Sequence, residues 1–137
     1  MKAQDMSKRI ATKHLESLVG GEVAIHKWIR KNVRSPKNNC FFYSASLATL
    51  FPELRLVKGR SNQPGETAHF FVLTKRGRII DPTRTQYDQY GIEPDYTEIT
   101  PVSVERNLDY LVKHPLFKTL DKKDQEIINS AYLTQRF

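Results

Sequence analysis

With one cysteine, Cys40, in 137 residues, the chain can close no internal disulfide, and its single thiol fits a reducing compartment. No Cys-x-x-Cys pair or His-x-x-x-His pair occurs, and His14, His26, His69 and His114 are scattered, so no structural zinc is expected. Asp81, Asp88, Glu93 and Asp95 do not have the spacing of a calcium loop, and no glycine-rich phosphate cradle is present, so no cofactor is expected either. The opening stretch, MKAQDMSKRIATKHLESL, lacks an unbroken apolar run and a small-residue cleavage site, which argues against a secretory signal. No segment is long and apolar enough to span a bilayer, so no membrane partner is expected and a cytoplasmic location is the default. Repeats and low-complexity tracts are missing as well.

What is there fits one domain, residues 1–137, long enough to bury a core without cross-links. The net charge of +7 is unevenly placed: residues 1–37 carry nine Lys and Arg against three acids, and the rest of the chain is nearly balanced. Within this basic segment Met6, Ile10, His14 and Leu18 recur at helical spacing before the Gly20-Gly21 stop. Val23, Ile25, Trp28, Ile29 and Val33 predict a second helix whose polar side holds Lys27, Arg30, Lys31 and Arg34, closed by Ser35-Pro36. A cationic face of this kind can contact nucleic acid or an acidic protein, although a solvated helix face is the commoner reason for it.

From Cys40 to Phe51 the chain is apolar on most sides and rich in small residues, which predicts a buried central helix capped by Asn39 and ended by Pro52. Three short β-like runs follow, Leu54 to Gly59, Ala68 to Thr74 and Arg78 to Asp81, the last two joined by Lys75-Arg76-Gly77 as consecutive antiparallel strands. Residues 82–101, rich in Tyr, Asp, Pro and Gly, predict an irregular loop with a short extended piece at Tyr96 to Ile99. Tyr87, Tyr90 and Tyr96 either line a cleft or pack this loop onto the body. Ser103 caps a helix to Lys113, His114-Pro115 breaks it, and Asp121 caps a last helix containing Ile127, Ile128, Ala131 and Tyr132.

Taken singly, Cys40 is a small buried hydrophobe, His69 a strand histidine and Asp81 a turn residue before proline. Their joint placement suggests more. Cys40 falls in the first turn of the buried helix, where unsatisfied backbone N–H groups and the helix dipole favour a thiolate and offer oxyanion donors. His69 lies in an apolar strand as a candidate general base, and Asp81, 12 residues on, falls beside it across a hairpin, placed to orient the imidazole.

The order of Cys at a helix start, His in a strand and Asp at the end of the next strand resembles the papain-like cysteine hydrolase superfamily, especially its transglutaminase-like branch. The strings Asn39-Cys40, Ala68-His69-Phe70-Phe71-Val72 and Ile80-Asp81-Pro82-Thr83 carry that resemblance over about residues 36–87. It implies an α+β fold with a papain/transglutaminase-like core: a central helix with Cys at its N-terminus packed on a small antiparallel sheet, plus extra N- and C-terminal helices. The chain then divides into a basic helical segment 1–34, a catalytic core 36–100 and C-terminal helices 101–137. The resemblance also implies a Cys40-His69-Asp81 triad acting through a thioester on peptide or side-chain amides, as a peptidase, deamidase or acyl transferase. Two departures stand out. Papain-type enzymes place an oxyanion Gln before the Cys, where this chain has only Asn32, Asn38 and Asn39; and Phe41, Phe42 and Tyr43 stand where many relatives carry Trp. Asn38, Asn39 and Gln86 are therefore candidate oxyanion or substrate contacts, Gln86 equally a residue that ties down its own loop. The competing expectation is a non-enzymatic binding module that docks nucleic acid or an acidic protein through Lys27, Arg30, Lys31 and Arg34.

Overall fold

In the computed structural model of the chain, the residues described are 22–62 and 68–135. The helix expected around Met6 to Leu18 lies outside them. The first described element, α1 (Glu22–Asn32), buries Ile25 and Trp28 and leaves Lys27, Arg30 and Lys31 exposed, as its apolar spacing requires. Trp28 Nε1 donates to Asp124 Oδ2 at 2.9 Å, and Lys31 Nζ lies 2.6 Å from Asp121 Oδ2, so α1 is tied to the C-terminal helix at two points.

The second helix, α2 (Cys40–Leu50), is apolar all round and buries eight of its residues. Its Ala and Ser positions let neighbouring elements approach closely. Asn39 occupies the N-cap position, but its side chain makes no capping bond, against the sequence expectation. The amide instead donates to the carbonyls of Ser35 (2.8 Å) and Lys37 (3.2 Å), bracing a turn in which Asn38 adopts φ +63°.

Four antiparallel strands follow the order β3-β2-β1-β4: β1 (Arg55–Arg60), β2 (Ala68–Leu73), β3 (Ile79–Ile80) and β4 (Thr100–Pro101). The fold is thus α+β. The three expected strands are present, the third trimmed to two residues because Pro82 has no N–H to extend the ladder beyond Asp81. Gly77, at φ +80°, closes the β2–β3 hairpin by donating to the Thr74 carbonyl. Strand alternation divides the sheet's faces. Leu56, Val72 and Ile80 join the core beneath α2, while Val57 and Phe71, paired across β1 and β2, lie on the opposite face with His69. On that face a Cβ at Gly59 would sit 3.0 Å from the Thr97 carbonyl oxygen and 3.1 Å from the Phe71 ring, so only glycine admits the covering segment there.

Residues 82–99 cover that second face. They are less irregular than expected, since Arg84–Tyr90 forms a 3-10 helix. The extended piece expected at Tyr96 to Ile99 falls one residue later, as β4, which pairs Val57 with Pro101. Ser103 accepts from Arg106 N and starts a 3-10 turn, Glu105–Asn107, that leads into α3 (Leu108–Lys113). After the His114-Pro115 break a 3-10 turn (Pro115–Thr119) precedes α4 (Lys122–Gln135), whose Ile128 is fully buried while Ile127 faces outward. No helix among the described residues is long and apolar enough to cross a membrane.

Candidate active site

The end of β3 and its connection to the 3-10 helix place Asp81 beside His69. His69 Nε2 lies 2.6 Å from Asp81 Oδ2, and the two side chains are only 1% and 2% exposed. The Asp-Pro-Thr string explains why Asp81 holds still. Pro82 keeps the preceding residue extended, and Thr83 turns back so that its N–H donates to Asp81 Oδ1 at 3.1 Å, with its hydroxyl 3.5 Å from the same oxygen. Tyr96 adds a third donor, its hydroxyl 2.9 Å from Asp81 Oδ2. Burial first, then the charge of Asp81 and the bond to it, push the Tyr96 phenol far above its ordinary range, so it stays a hydrogen-bond donor.

The remaining ring nitrogen, His69 Nδ1, lies 3.3 Å from Gln86 Nε2, and that amide also donates to Thr83 Oγ1 at 2.9 Å. Tyr87 meets the imidazole edge-on at 5.1 Å, and Phe71 stacks on it at 6.0 Å. Of the three tyrosines in the covering segment, Tyr87 and Tyr96 thus pack it onto the sheet, whereas Tyr90 faces solvent.

Cys40 belongs to the helix that packs on the opposite face of the sheet from His69. It is the first residue of α2 and is 6% exposed. One turn later on the same face of the helix, the Ser44 hydroxyl donates to the carbonyl of Phe70, the neighbour of His69, at 3.0 Å. That bond lays the N-terminal half of α2 along β2. The structure thus joins His69, Asp81 and Gln86 directly by hydrogen bonds, and holds the first turns of α2, which begin with Cys40, against β2 through the Phe41–Phe70 ring contact and the Ser44 bond, on the sheet face opposite His69.

Around Cys40 the neighbours are aromatic. Phe41 stands edge-on to Phe70 at 4.8 Å and to Tyr110 at 5.0 Å, and His114 stacks on Phe42 at 4.5 Å. Burial, and secondly the nearness of Cys40, push the Tyr110 phenol upward. Burial holds His114 below its usual range, and its Nδ1 accepts the Leu116 N–H at 3.0 Å. A cavity of about 420 Å³ opens between Tyr110, Lys113, His114 and Arg106. The larger groove, about 1060 Å³, lies toward the far end of α2 and contains none of the predicted site residues.

Asn39 is committed to its own loop, and Asn38 is exposed. Asn32, buried, donates to the Trp28 carbonyl. Lys27, Arg30, Lys31 and Arg34 are all exposed, and among the described residues only Lys31 of the four is in an ion pair. Among the described residues, no group of three or more His, Cys, Asp or Glu could hold a metal ion. The sequence named Thr83 only within the Asp-Pro-Thr string and Tyr96 only as a cleft or loop-packing residue, without the bonds to Asp81, and it missed Tyr110 altogether. Thr83 had a local signal, its place two residues after Asp81 in a proline turn, whereas Tyr96 and Tyr110 come from distant segments with none. No family model matches the chain, and comparison with curated proteins and with solved structures finds no significant match.

Proposed function

We propose that this chain is a cysteine-dependent hydrolase or acyl transferase of papain/transglutaminase-like architecture, acting on peptide or side-chain amides through a thioester. The observation that carries the reading is the buried 2.6 Å pairing of His69 Nε2 with Asp81 Oδ2 beside a helix that begins with the chain's only cysteine. A buried imidazole held at one nitrogen by a carboxylate presents its other nitrogen in a fixed direction, which is the arrangement a general base needs.

In this mechanism the Cys40 thiol gives its proton to His69 Nδ1, and sulfur attacks the amide carbon. First-turn N–H groups of α2 receive the developing oxyanion. The tetrahedral intermediate expels the amine, which takes the proton from Nδ1, and leaves a thioester on Cys40. Water or an acceptor amine then loses its proton to Nδ1 as it attacks, and the thiolate departs with that proton. Asp81 keeps the ring oriented throughout. For the first step the Cys40 sulfur and His69 Nδ1 must come within hydrogen-bond reach of each other.

Cys40→Ala and His69→Ala are each expected to abolish turnover of the true substrate, with the His69 change costing at least about a hundredfold. A substrate would be found by trapping a covalent adduct on Cys40 from a lysate and identifying what it carries. Full activity in either variant would reject the proposal.

A second reading keeps the exposed cations Lys27, Arg30 and Arg34, which pair with no carboxylate among the described residues, as a contact for nucleic acid or an acidic protein. Salt-dependent retention on RNA or DNA that survives Cys40→Ala and disappears on reversing those charges would favour it. Retention unaffected by charge reversal would dismiss it.

A further inference from the structure

Gln86 touches the imidazole itself, yet the proposed reaction gives it no use. It is 3% exposed, its Nε2 approaches both Thr83 Oγ1 and His69 Nδ1, and its Oε1 is buried with no hydrogen-bond partner. Leaving a buried carbonyl oxygen unpaired is costly, so the orientation of this amide needs an explanation.

The donors around the cluster run in one direction. Thr83 has a single hydroxyl hydrogen, aimed at Asp81 Oδ1, so its oxygen accepts from Gln86. The second Gln86 N–H then points at His69 Nδ1, which can accept it only while that nitrogen carries no proton. His69 in turn donates from Nε2 to Asp81 Oδ2. Turning the amide over would satisfy Oε1 but would bury two N–H groups without acceptors and pull the Thr83 hydroxyl away from Asp81. One unpaired oxygen is the lesser cost.

Two influences on the imidazole are therefore opposed. The carboxylate at Nε2 favours the imidazolium, and the amide donor at Nδ1 favours the neutral ring. On the same side of the sheet His69 also meets Tyr87 from the 3-10 helix and, through Asp81, Tyr96; Gly59, opposite on β1, brings no ionisable group. We infer that Gln86 is a positioning residue: it holds His69 as the neutral Nε2–H tautomer, with Nδ1 unprotonated and aimed, against the pull of Asp81. The bond at 3.3 Å is long, so a thiol can take its place at Nδ1 during the first proton transfer. The role in the reaction rests on the function proposed above, but the control over the imidazole does not.

The test follows the His69 imidazole resonances of the full chain by NMR across pH, assigned by their loss in His69→Asn. Gln86→Glu is expected to move the His69 midpoint upward by at least about one pH unit, because a second carboxylate then faces Nδ1. Gln86→Met is expected to move it upward by less, and Thr83→Ser, which keeps the hydroxyl, to leave it in place. Should Gln86→Met fail to fold, Gln86→Glu against Thr83→Ser decides the matter. An unchanged midpoint in Gln86→Glu would overturn the inference and show Gln86 to be only a loop tie. Because the readout does not depend on turnover, an inert Cys40 with a shifted His69 would refute the enzyme and leave the role of Gln86 standing.

Discussion

Around His69 the holding forces are polar and directional, whereas around Cys40 they are apolar and depend on fit. Asp81 accepts from His69, Tyr96 and Thr83, and Gln86 joins the ends of that set, so each atom on the His69 side has an assigned partner except one amide oxygen. On the Cys40 side, α2 carries no side-chain cap, and Phe41, Phe42, Tyr110 and His114 surround its first turn by ring contacts. A hydrogen-bonded cluster fails when one atom is replaced, and a packed one fails when volume is removed.

Volume removal should have the largest effect. Phe42 is fully buried against Tyr43 and His114, and Phe42→Ala is expected to lower stability by about 3–5 kcal/mol in urea unfolding. A loss below 1 kcal/mol would mean that α2 is not held by packing. Asp81→Ala comes next, at about 2–3 kcal/mol, since it strips the buried His69 of its partner without opening a large cavity. If that variant matched the wild type, the polar side would not be a structural unit. Tyr96→Phe deletes one hydroxyl from the same carboxylate and should cost about 1 kcal/mol, read as a small shift of the urea midpoint with an unchanged slope.

The smallest effect is one of pH. His114 is depressed by burial, so the unfolded chain binds a proton there more readily than the folded chain. Stability from this group is complete above the ordinary histidine range of about 6.5 and declines as pH falls below it. His114→Asn, which keeps an acceptor for the Leu116 N–H, should flatten that slope between about pH 6.5 and 5. An identical slope in the variant would remove His114 from the account.

The same contrast explains what could be read from the sequence. α2 was legible because an apolar run bounded by Asn39 and Pro52 has few other solutions, and the β2–β3 hairpin because Gly77 sits where the turn needs a positive φ. His69 and Asp81 followed from that hairpin, since strand pairing sets their separation. The short β4 was displaced from its expected place because a two-residue pairing that includes Pro101 leaves no alternation to detect. Tyr96 and Tyr110 reach the site through tertiary packing, 15 residues beyond Asp81 in one case and from α3 in the other, and no periodicity marks either. The side-chain cap expected of Asn39 failed for a local reason: Asn38 in the left-handed region redirected the neighbouring amide toward Ser35 and Lys37.

The central claim is that His69 serves Cys40, and the alkylation rate of Cys40 by iodoacetamide near neutral pH, followed by intact mass, tests it most directly. The account predicts that Cys40 reacts in the wild type and that His69→Asn slows the reaction by at least about tenfold. A Cys40 that is inert in the wild type, or that reacts equally fast without His69, would contradict it.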